Sequence, residues 1–338
     1  MKTYAGIDLH SSNSFIGVIN QNDKKLHSRR HNNNLKEILK VLRKYKKSLQ
    51  GVVVESTYNW YWLVDGLLEQ GYKVHLANPA AIQQYKGLKN RDDKYDAFWL
   101  AHLLRLGILP QGYIYPKSLR PIRDLFRRRI MFVKQRTAQI LSLQSMIARN
   151  KGVEQSASAI ARFRDDFINQ MFDSPHLVST ARHQMETIRF LDNQIKEIEV
   201  EVDGIVEIDG AYQKLLTITG VGRILATTIM LEVGDIHRFK NVGNYSSYCR
   251  CVKAQSTSNG KKKGNNNRKN GNRYLAWAYV EAANHNKRNC LRARKFVERK
   301  TAEKNYTVAI KALANKLSKA SYFIMRDQTT YDPSLLFG

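Results

Sequence analysis

The sequence is short of cysteine. Its 338 residues hold three, Cys249, Cys251 and Cys290, an odd and sparse set that excludes a disulfide framework and fits a reducing cytoplasm. A single Cys-x-Cys without a second matched pair does not make a structural zinc site. Long apolar runs are missing as well: none approaches the roughly 18–20 residues that a membrane span needs. An aspartate stands at position 8, too early for the apolar core of a signal peptide. With no lipidation signal or amphipathic anchor, the expectation is a cytoplasmic, nucleoid-associated bacterial protein with no membrane partner.

Acidic residues are scarce beside basic ones. Asp and Glu number 29 against 56 Lys and Arg, a formal charge of +27. Such a surplus repels itself unless a polyanion is near, so the expected partner is nucleic acid, bound through its phosphates. Apolar residues make up 43%, enough for packed cores and too many for a disordered chain. The length implies two or three domains.

Residues 3–9, 14–20 and 24–30 read as strands, the last two joined by a turn at Asn20-Gln21-Asn22-Asp23. Asn34 is placed to cap a helix carrying Leu35, Ile38, Leu39 and Leu42. Gly51-Val52-Val53-Val54-Glu55 is β-branched and apolar, as a central parallel strand should be. A helix through Trp60–Leu68, a strand at 72–77 and a helix from about Asp92 follow. Three strands and then an alternation of helix and strand predict an α/β sheet with an antiparallel opening.

Asp8 sits on the first strand beside His10, within an apolar run, and Glu55 ends the fourth. In an RNase H-like sheet those strands are neighbours, which would set the two carboxylates side by side. Asp93 and Asp96 lie three apart, on one face of a helix. They could also be acids favoured at a helix start. Asp92 is available too; Asp93 is preferred for its spacing of three from Asp96. Four converging acids repel one another unless divalent cations neutralise them. Two Mg²⁺ ions could then serve phosphodiester chemistry.

Two long helices are expected next, at 118–150 and at about 175–203. Each carries an apolar 3–4 repeat, with Arg129 and Arg136 filling gaps in the first and Gln184 a gap in the second. Together with a short connector they suggest an antiparallel coiled-coil arm; two helices of a globular bundle are the alternative. Residues 211–338 read as mostly helical, interrupted by a polar, glycine- and lysine-rich segment at 257–273. Within the helical part, Thr219-Gly220-Val221-Gly222 resembles the turn of a helix-hairpin-helix, where backbone N–H groups approach a phosphate.

Gly6-Ile7-Asp8, Val54-Glu55-Ser56-Thr57 and Asp93-Lys94-Tyr95-Asp96-Ala97 together resemble the DEDD transposases of bacterial insertion sequences. The resemblance covers nearly the whole chain. It implies a RuvC-like, RNase H-like α/β domain at 1–110, a helical coiled-coil arm at 111–205 and a mostly α transposase domain at 206–338. It implies Mg²⁺ (or Mn²⁺) held by Asp8, Glu55, Asp93 and Asp96. Three departures stand out. The family often has Lys-Thr-Asp where Arg91-Asp92-Asp93 stands, Pro where Thr219 stands, and Gly-Leu-x-Pro where Arg250-Cys251-Val252-Lys253 stands.

From composition alone the segment after Cys251 reads either as a solvated phosphate-binding loop or as a flexible loop presenting a serine among cations. The resemblance implies the second. Ser258, just before Asn259-Gly260, matches a nucleophile that forms a covalent 5′-phosphoserine link to DNA, with Ser256 as the fallback. Nucleic-acid contacts are expected at Lys261, Lys262, Lys263, Arg268, Lys269, Arg273, Gly220 and Gly222. The partners so implied are donor and target DNA, a guide (bridge) RNA and further copies of the chain, as a dimer pairing into a tetramer. Two rivals remain: a hydrolytic, junction-resolvase-like nuclease that uses only the carboxylates, and a non-catalytic DNA-organising protein.

Overall fold

The computed structural model describes residues 1–82, 92–206, 210–253, 256–259, 261–264 and 270–337. The chain divides into two compact units, Met1–Lys117 and Ser118–Gly338.

In the first unit, strands β1 (Thr3–Leu9), β2 (Asn13–Asn20) and β3 (Lys25–Asn32) are followed by helix α1 (Leu35–Arg43) and β4 (Leu49–Glu55). Then come α2 (Tyr61–Glu69), β5 (Val74–Ala77), α3 (Pro79–Ile82) and α4 (Asp93–Arg105). The five strands form one mixed sheet in the order β3-β2-β1-β4-β5. β1, β2 and β3 are antiparallel neighbours, while β4 and β5 run parallel to β1. The antiparallel opening and the pairing of the first and fourth strands follow the expectation. As expected too, Asn34 caps α1, its side chain accepting from the Lys36 N–H at 2.9 Å. β5 is shorter than its apolar run because Tyr72 belongs to the turn that ends α2, its N–H bonded to Leu67 O at 3.1 Å.

Strand alternation sorts the sheet into two faces. Ala5, Ile7, Leu9, Ile16, Val18, Val52 and Val54 pack with α1 and α2 in one core. The other face belongs to α4: Val53 packs with Leu100 and Leu103, and Ile19 with Phe98 and Ala101. Gly6, Asp8, Val53 and Glu55 share this second parity. A Cβ at Gly6 would stand 2.0 Å from Ala97 O and 2.9 Å from Ala101 N. Helix α4 therefore lies directly on the backbone of β1, and the missing side chain allows it to.

The second unit begins with α5 (Arg120–Lys151), α6 (Ala157–Ile160), α7 (Asp165–Met171) and α8 (Pro175–Val206). It continues with α9 (Gly210–Leu216), α10 (Arg223–Val233), α11 (Val242–Tyr248) and a small hairpin, β6 (Ser256–Ser258) and β7 (Lys261–Gly264). It ends with α12 (Arg273–Asn289), α13 (Leu291–Glu303), α14 (Tyr306–Asp327) and α15 (Pro333–Phe337). α5 and α8 run antiparallel, for their side chains pair in opposite order. Arg129 pairs with Glu199 at 2.6 Å, Arg136 with Asp192, and the Gln184 side-chain amide donates to Ser142 Oγ at 2.7 Å. The polar residues that interrupt each apolar stripe are thus matched across the pair.

The connector between α5 and α8 is longer than a turn. It contains α6 and α7; their Ile160 and Ile168, with Phe172 just past α7, pack with Leu143, Ile147, Met185 and Ile188 in a separate cluster. At the other end, Phe126, Ile198 and Val202 join the core built by α9, α10, α12 and α14 around Tyr212, Leu225, Tyr279 and Leu313. The near end of the helix pair and the C-terminal helices therefore share one core.

Gly6→Ala should force α4 off β1 against backbone atoms that cannot rotate away. Overpacking typically costs about 1–3 kcal/mol, and the upper end is expected here. Urea unfolding of the full chain followed by tryptophan fluorescence would measure it, because Trp60, Trp62 and Trp99 lie in the first unit. An unchanged midpoint would show that α4 yields freely.

Candidate active site

Asp8 is the next residue of Gly6's parity along β1, so its side chain also points to the α4 side. It is buried. Across the sheet Ile7 stands opposite Val54, which puts Glu55 next to Asp8, and the two carboxyl groups share a hydrogen bond. On the other side, Asp8 stands opposite Phe15, and Phe15 opposite Arg30. The first turn of α4 brings Asp93 and Asp96 to this row. Asp92 is occupied otherwise: it is the N-cap of α4, accepting from the Tyr95 N–H at 2.7 Å.

One further side chain completes the group. His10 Nε2 lies 3.1 Å from Asp8 Oδ2 and 3.2 Å from Asp93 Oδ1. The nitrogen is buried between the two carboxylates. Asp93 Oδ2 takes a bond of 2.5 Å from Arg30 Nη2 on β3. Thus Asp8, Glu55 and Asp93 are brought together as the sequence suggests, and Asp96 is close enough to act on the charge of Glu55. His10 and Arg30 are additions. His10 was visible two residues from Asp8, but Arg30 is linked to Asp93 across 63 residues, and no local pattern marks it.

The electrostatics follow from this crowding. Burial pushes the Asp8 carboxyl up, the bond from Glu55 and the charge of His10 pull it part of the way back, and Asp93 raises it further. Glu55 is pushed up to about 7, first by burial, then by its bond to Asp8 and the charges of Asp8 and Asp96. The pair therefore shares a proton near neutral pH.

The donors suit a divalent cation. One ligand atom each from Asp8, His10 and Asp93 lies within 4.8 Å of the others. Hard carboxylate oxygens with one imidazole nitrogen match the Mn²⁺ and Mg²⁺ class better than a thiolate-seeking metal. The crowded, proton-sharing acids are the strain that such a charge would relieve.

In the second unit, Ser258 ends β6 and pairs with Lys261 of β7. Asn259 has φ of 49°, as the first position of a tight hairpin turn requires. The serine thus stands at the shoulder of a hairpin, in a segment read from sequence only as polar and glycine-rich. Lys261 is exposed and Lys262 and Lys263 continue β7; Arg268 and Lys269 lie outside the described residues. Arg273 is exposed at the start of α12, its guanidinium over the Tyr274 ring.

The ends of this segment are tied together. Arg250 Nε and Nη2 donate to Gly271 O at 3.0 and 2.8 Å, and the Asn272 N–H donates to Tyr248 O at 2.6 Å. The Asn272 side chain caps α12 and also donates to the buried Glu232 at 2.6 Å. Glu232 in turn accepts two bonds from Arg127 of α5, at 2.6 and 2.7 Å. Burial alone would lower the Arg127 pKa, but the Glu232 carboxylate outweighs it and holds it above its ordinary value. Arg127, Glu232, Arg250 and Asn272 were not singled out from sequence. Glu232 could have been: it is a lone acid between Leu231 and Val233, the same signal that marks Asp8.

The two glycines of the Gly-Val-Gly turn differ. Gly220 has φ of 92°, and a Cβ there would stand 2.5 Å from Asn286 N on α12. Its missing side chain serves helix packing. Gly222 is the N-cap of α10 and has open space where a Cβ would be, so a phosphate could approach that backbone.

Among the described residues, no helix is long and apolar enough to cross a membrane. Residues 5–149 match the model of a transposase family of the DEDD IS110 type. Residues 212–298 match the transposase model of the IS116/IS110/IS902 family. A probable family 20 transposase of Pseudomonas aeruginosa is 24% identical over 287 residues, 81% of this chain and 82% of that protein. The transposase for insertion sequence element IS1328 of Yersinia enterocolitica is 22% identical over 296 residues, 83% of this chain and 85% of that protein. A pilin gene-inverting protein of Moraxella bovis is 24% identical over 209 residues, 60% of this chain and 56% of that protein.

The carboxylates give a pH dependence with a definite sign. The folded pKa of Glu55, about 7, lies above its ordinary 4.5, so the folded state keeps a proton that the unfolded chain loses. The resulting stabilisation is complete below the ordinary value and is lost as pH rises through about 7. The metal-free chain should therefore melt at a lower temperature as pH rises from about 5 to about 8, and Glu55→Gln should flatten that slope. A cation must displace the same proton, so stabilisation by MnCl₂ should grow over the same interval. Thermal melts with and without Mn²⁺ test both; a Mn²⁺ shift indifferent to pH and to the substitution would contradict the account.

Proposed function

We propose that this chain, which matches IS110-type transposase models over residues 5–149 and 212–298, is an insertion-sequence transposase that cuts and rejoins DNA with a metal-holding acidic cluster and a nucleophilic serine. The observation that carries the reading is the convergence of Asp8, Glu55 and Asp93 at one end of the sheet, with Asp96 beside them. Such a cluster is costly for the fold unless a cation joins it. We read the first unit as RNase H-like, the α5–α8 pair as a coiled-coil arm and the C-terminal helices as the serine-bearing domain.

In this reading Asp8, Glu55, Asp93 and Asp96 hold divalent cations of the Mg²⁺ or Mn²⁺ class. When bound, these would supply charge neutralisation and Lewis acidity at a scissile phosphate. The Ser258 hydroxyl oxygen attacks phosphorus. The bond from phosphorus to the 3′ oxygen breaks, the serine proton ends on that oxygen, and the 5′ phosphate stays joined to the serine. A 3′ hydroxyl from another strand then attacks the phosphoserine and the proton returns to the serine oxygen. Each phosphodiester broken is replaced by another, so no ATP is needed. Lys261, Lys262, Lys263 and Arg273 hold the phosphates of the strand around the attacking oxygen, a role that Arg268, Lys269 and the open backbone at Gly222 share.

Exchange of strands needs several such centres at once, hence a dimer pairing into a tetramer. Base pairing by a guide RNA would choose the sites, and nothing in the protein need encode them. The pilin gene-inverting relative supports a role in rearranging DNA rather than only in cutting it.

Covalent trapping tests this. The chain would be incubated with Mg²⁺, RNA transcribed from the DNA flanking its gene, and end-labelled donor and target DNA, then run on a denaturing gel. A labelled protein band is expected, absent with Ser258→Ala and with Asp8→Ala. Cleaved DNA that persists in Ser258→Ala with no linked band would replace the proposal with a hydrolytic nuclease. DNA binding indifferent to Asp8→Ala, with no cleavage at all, would leave a DNA-organising protein.

A further inference from the structure

We propose that His10 is itself a ligand of the metal, and that its nitrogen sets the site's preference toward Mn²⁺ over Mg²⁺. The inference rests on the reading that the acidic cluster holds metal, and it adds a donor that four carboxylates do not include.

Three observations support it. First, His10 Nε2 faces two acids at once, 3.1 Å from Asp8 and 3.2 Å from Asp93. A histidine placed only to pair with an acid would favour one of them; here the buried nitrogen stands almost equally far from both. A lone pair aimed at a cation between the two carboxylates uses that position better.

Second, the backbone that carries His10 is held from several sides. Asn33 Nδ2 and Asn59 Nδ2 both donate to His10 O, each at 2.9 Å. Those amides are themselves oriented: Ser14 Oγ donates to Asn33 Oδ1 at 2.6 Å, and Thr57 Oγ1 to Asn59 Oδ1 at 2.9 Å. The His10 N–H bonds to Asn13 O at 2.9 Å. Two separate chain segments thus fix the carbonyl just past the end of β1, and a third holds the N–H of the same residue. Ligands held to a fraction of an ångström need this kind of support.

Third, the donor set predicts a selectivity. Carboxylate oxygens serve Mg²⁺ and Mn²⁺ alike, while imidazole favours first-row transition ions and adds little for Mg²⁺. A site with Asp8, Asp93 and His10 should therefore bind Mn²⁺ more tightly than Mg²⁺, and removing the imidazole should narrow the gap.

The test uses the full chain and Mn²⁺ alone, with no DNA. Electron spin echo modulation of the Mn²⁺-loaded protein should show coupling to a directly bound ¹⁴N nucleus, absent in His10→Ala and in His10→Gln. Titration should show Mn²⁺ binding weakened by about tenfold or more in both variants, on the scale seen when a metal site loses supporting groups, with Mg²⁺ binding changed far less. Two substitutions are used so that a folding defect in one does not decide the matter, and circular dichroism checks each. Mn²⁺ that binds at Asp8-dependent sites without nitrogen coupling would overturn the role of His10 while leaving the acidic metal site in place. Mn²⁺ that fails to bind, or binds equally well to Asp8→Asn, would overturn both.

Discussion

The backbone of α4 rests on the backbone of β1 because position 6 carries no side chain. Everything at the acidic end of the sheet depends on that approach. Ala97 and Ala101 fill the space where Gly6 would otherwise project, and one turn earlier on the same helix Asp93 and Asp96 reach the row that holds Asp8 and Glu55. Sheet register alone aligns Asp8 with Glu55. It takes the close seating of a helix from a later part of the chain to bring the remaining acids within reach. Small residues on both elements thus decide a distance between charged ones.

That arrangement works against the stability of the fold. Burying carboxylates beside one another is unfavourable, and without a cation the chain softens the conflict with what it has. Glu55 and Asp8 share a proton, His10 lies between Asp8 and Asp93, and Arg30 reaches over from β3 to the far oxygen of Asp93. The second unit holds a contrasting case. Glu232 is as buried as Asp8, yet it is fully served by Arg127 and Asn272. The first acid is left in want of a charge, and the second is satisfied and holds together the exit of the serine-bearing segment. Burial does not distinguish the two roles; the state of their partners does.

Much of this was legible beforehand. Alternating apolar residues marked β1 and β2, the β-branched run marked β4, and lone acids within those runs marked Asp8 and Glu55. Asp93 was preferred to Asp92 beforehand, but spacings of three and four both share a helix face, and it is the N-cap hydrogen bond of Asp92 that separates them. Long stripes located α5 and α8 to within a few residues. What escaped were contacts between distant segments with no period to announce them: Arg30 with Asp93, Arg127 with Glu232, and the two asparagines on the His10 carbonyl. The hairpin bearing Ser258 escaped for another reason. Its strands are three and four residues long and polar, so they carry no apolar alternation, and only Asn259-Gly260 hinted at a turn. The length of the connector between α5 and α8 was likewise underestimated, since α6 and α7 are too short to show a repeat.

The matched polar pairs along α5 and α8 also limit how this gene can change. Arg129 meets Glu199 and, seven residues further on, Arg136 meets Asp192 seven residues back. An insertion in one helix alone would slide every later pair out of register and set charges against apolar side chains. Length can change only when both helices gain or lose the same number of residues at facing points, which demands two coordinated events in DNA, 70 codons apart at Arg129 and Glu199 and 56 apart at Arg136 and Asp192. The helix pair is therefore a part of the molecule where single substitutions at exposed positions are tolerated more readily than insertions and deletions.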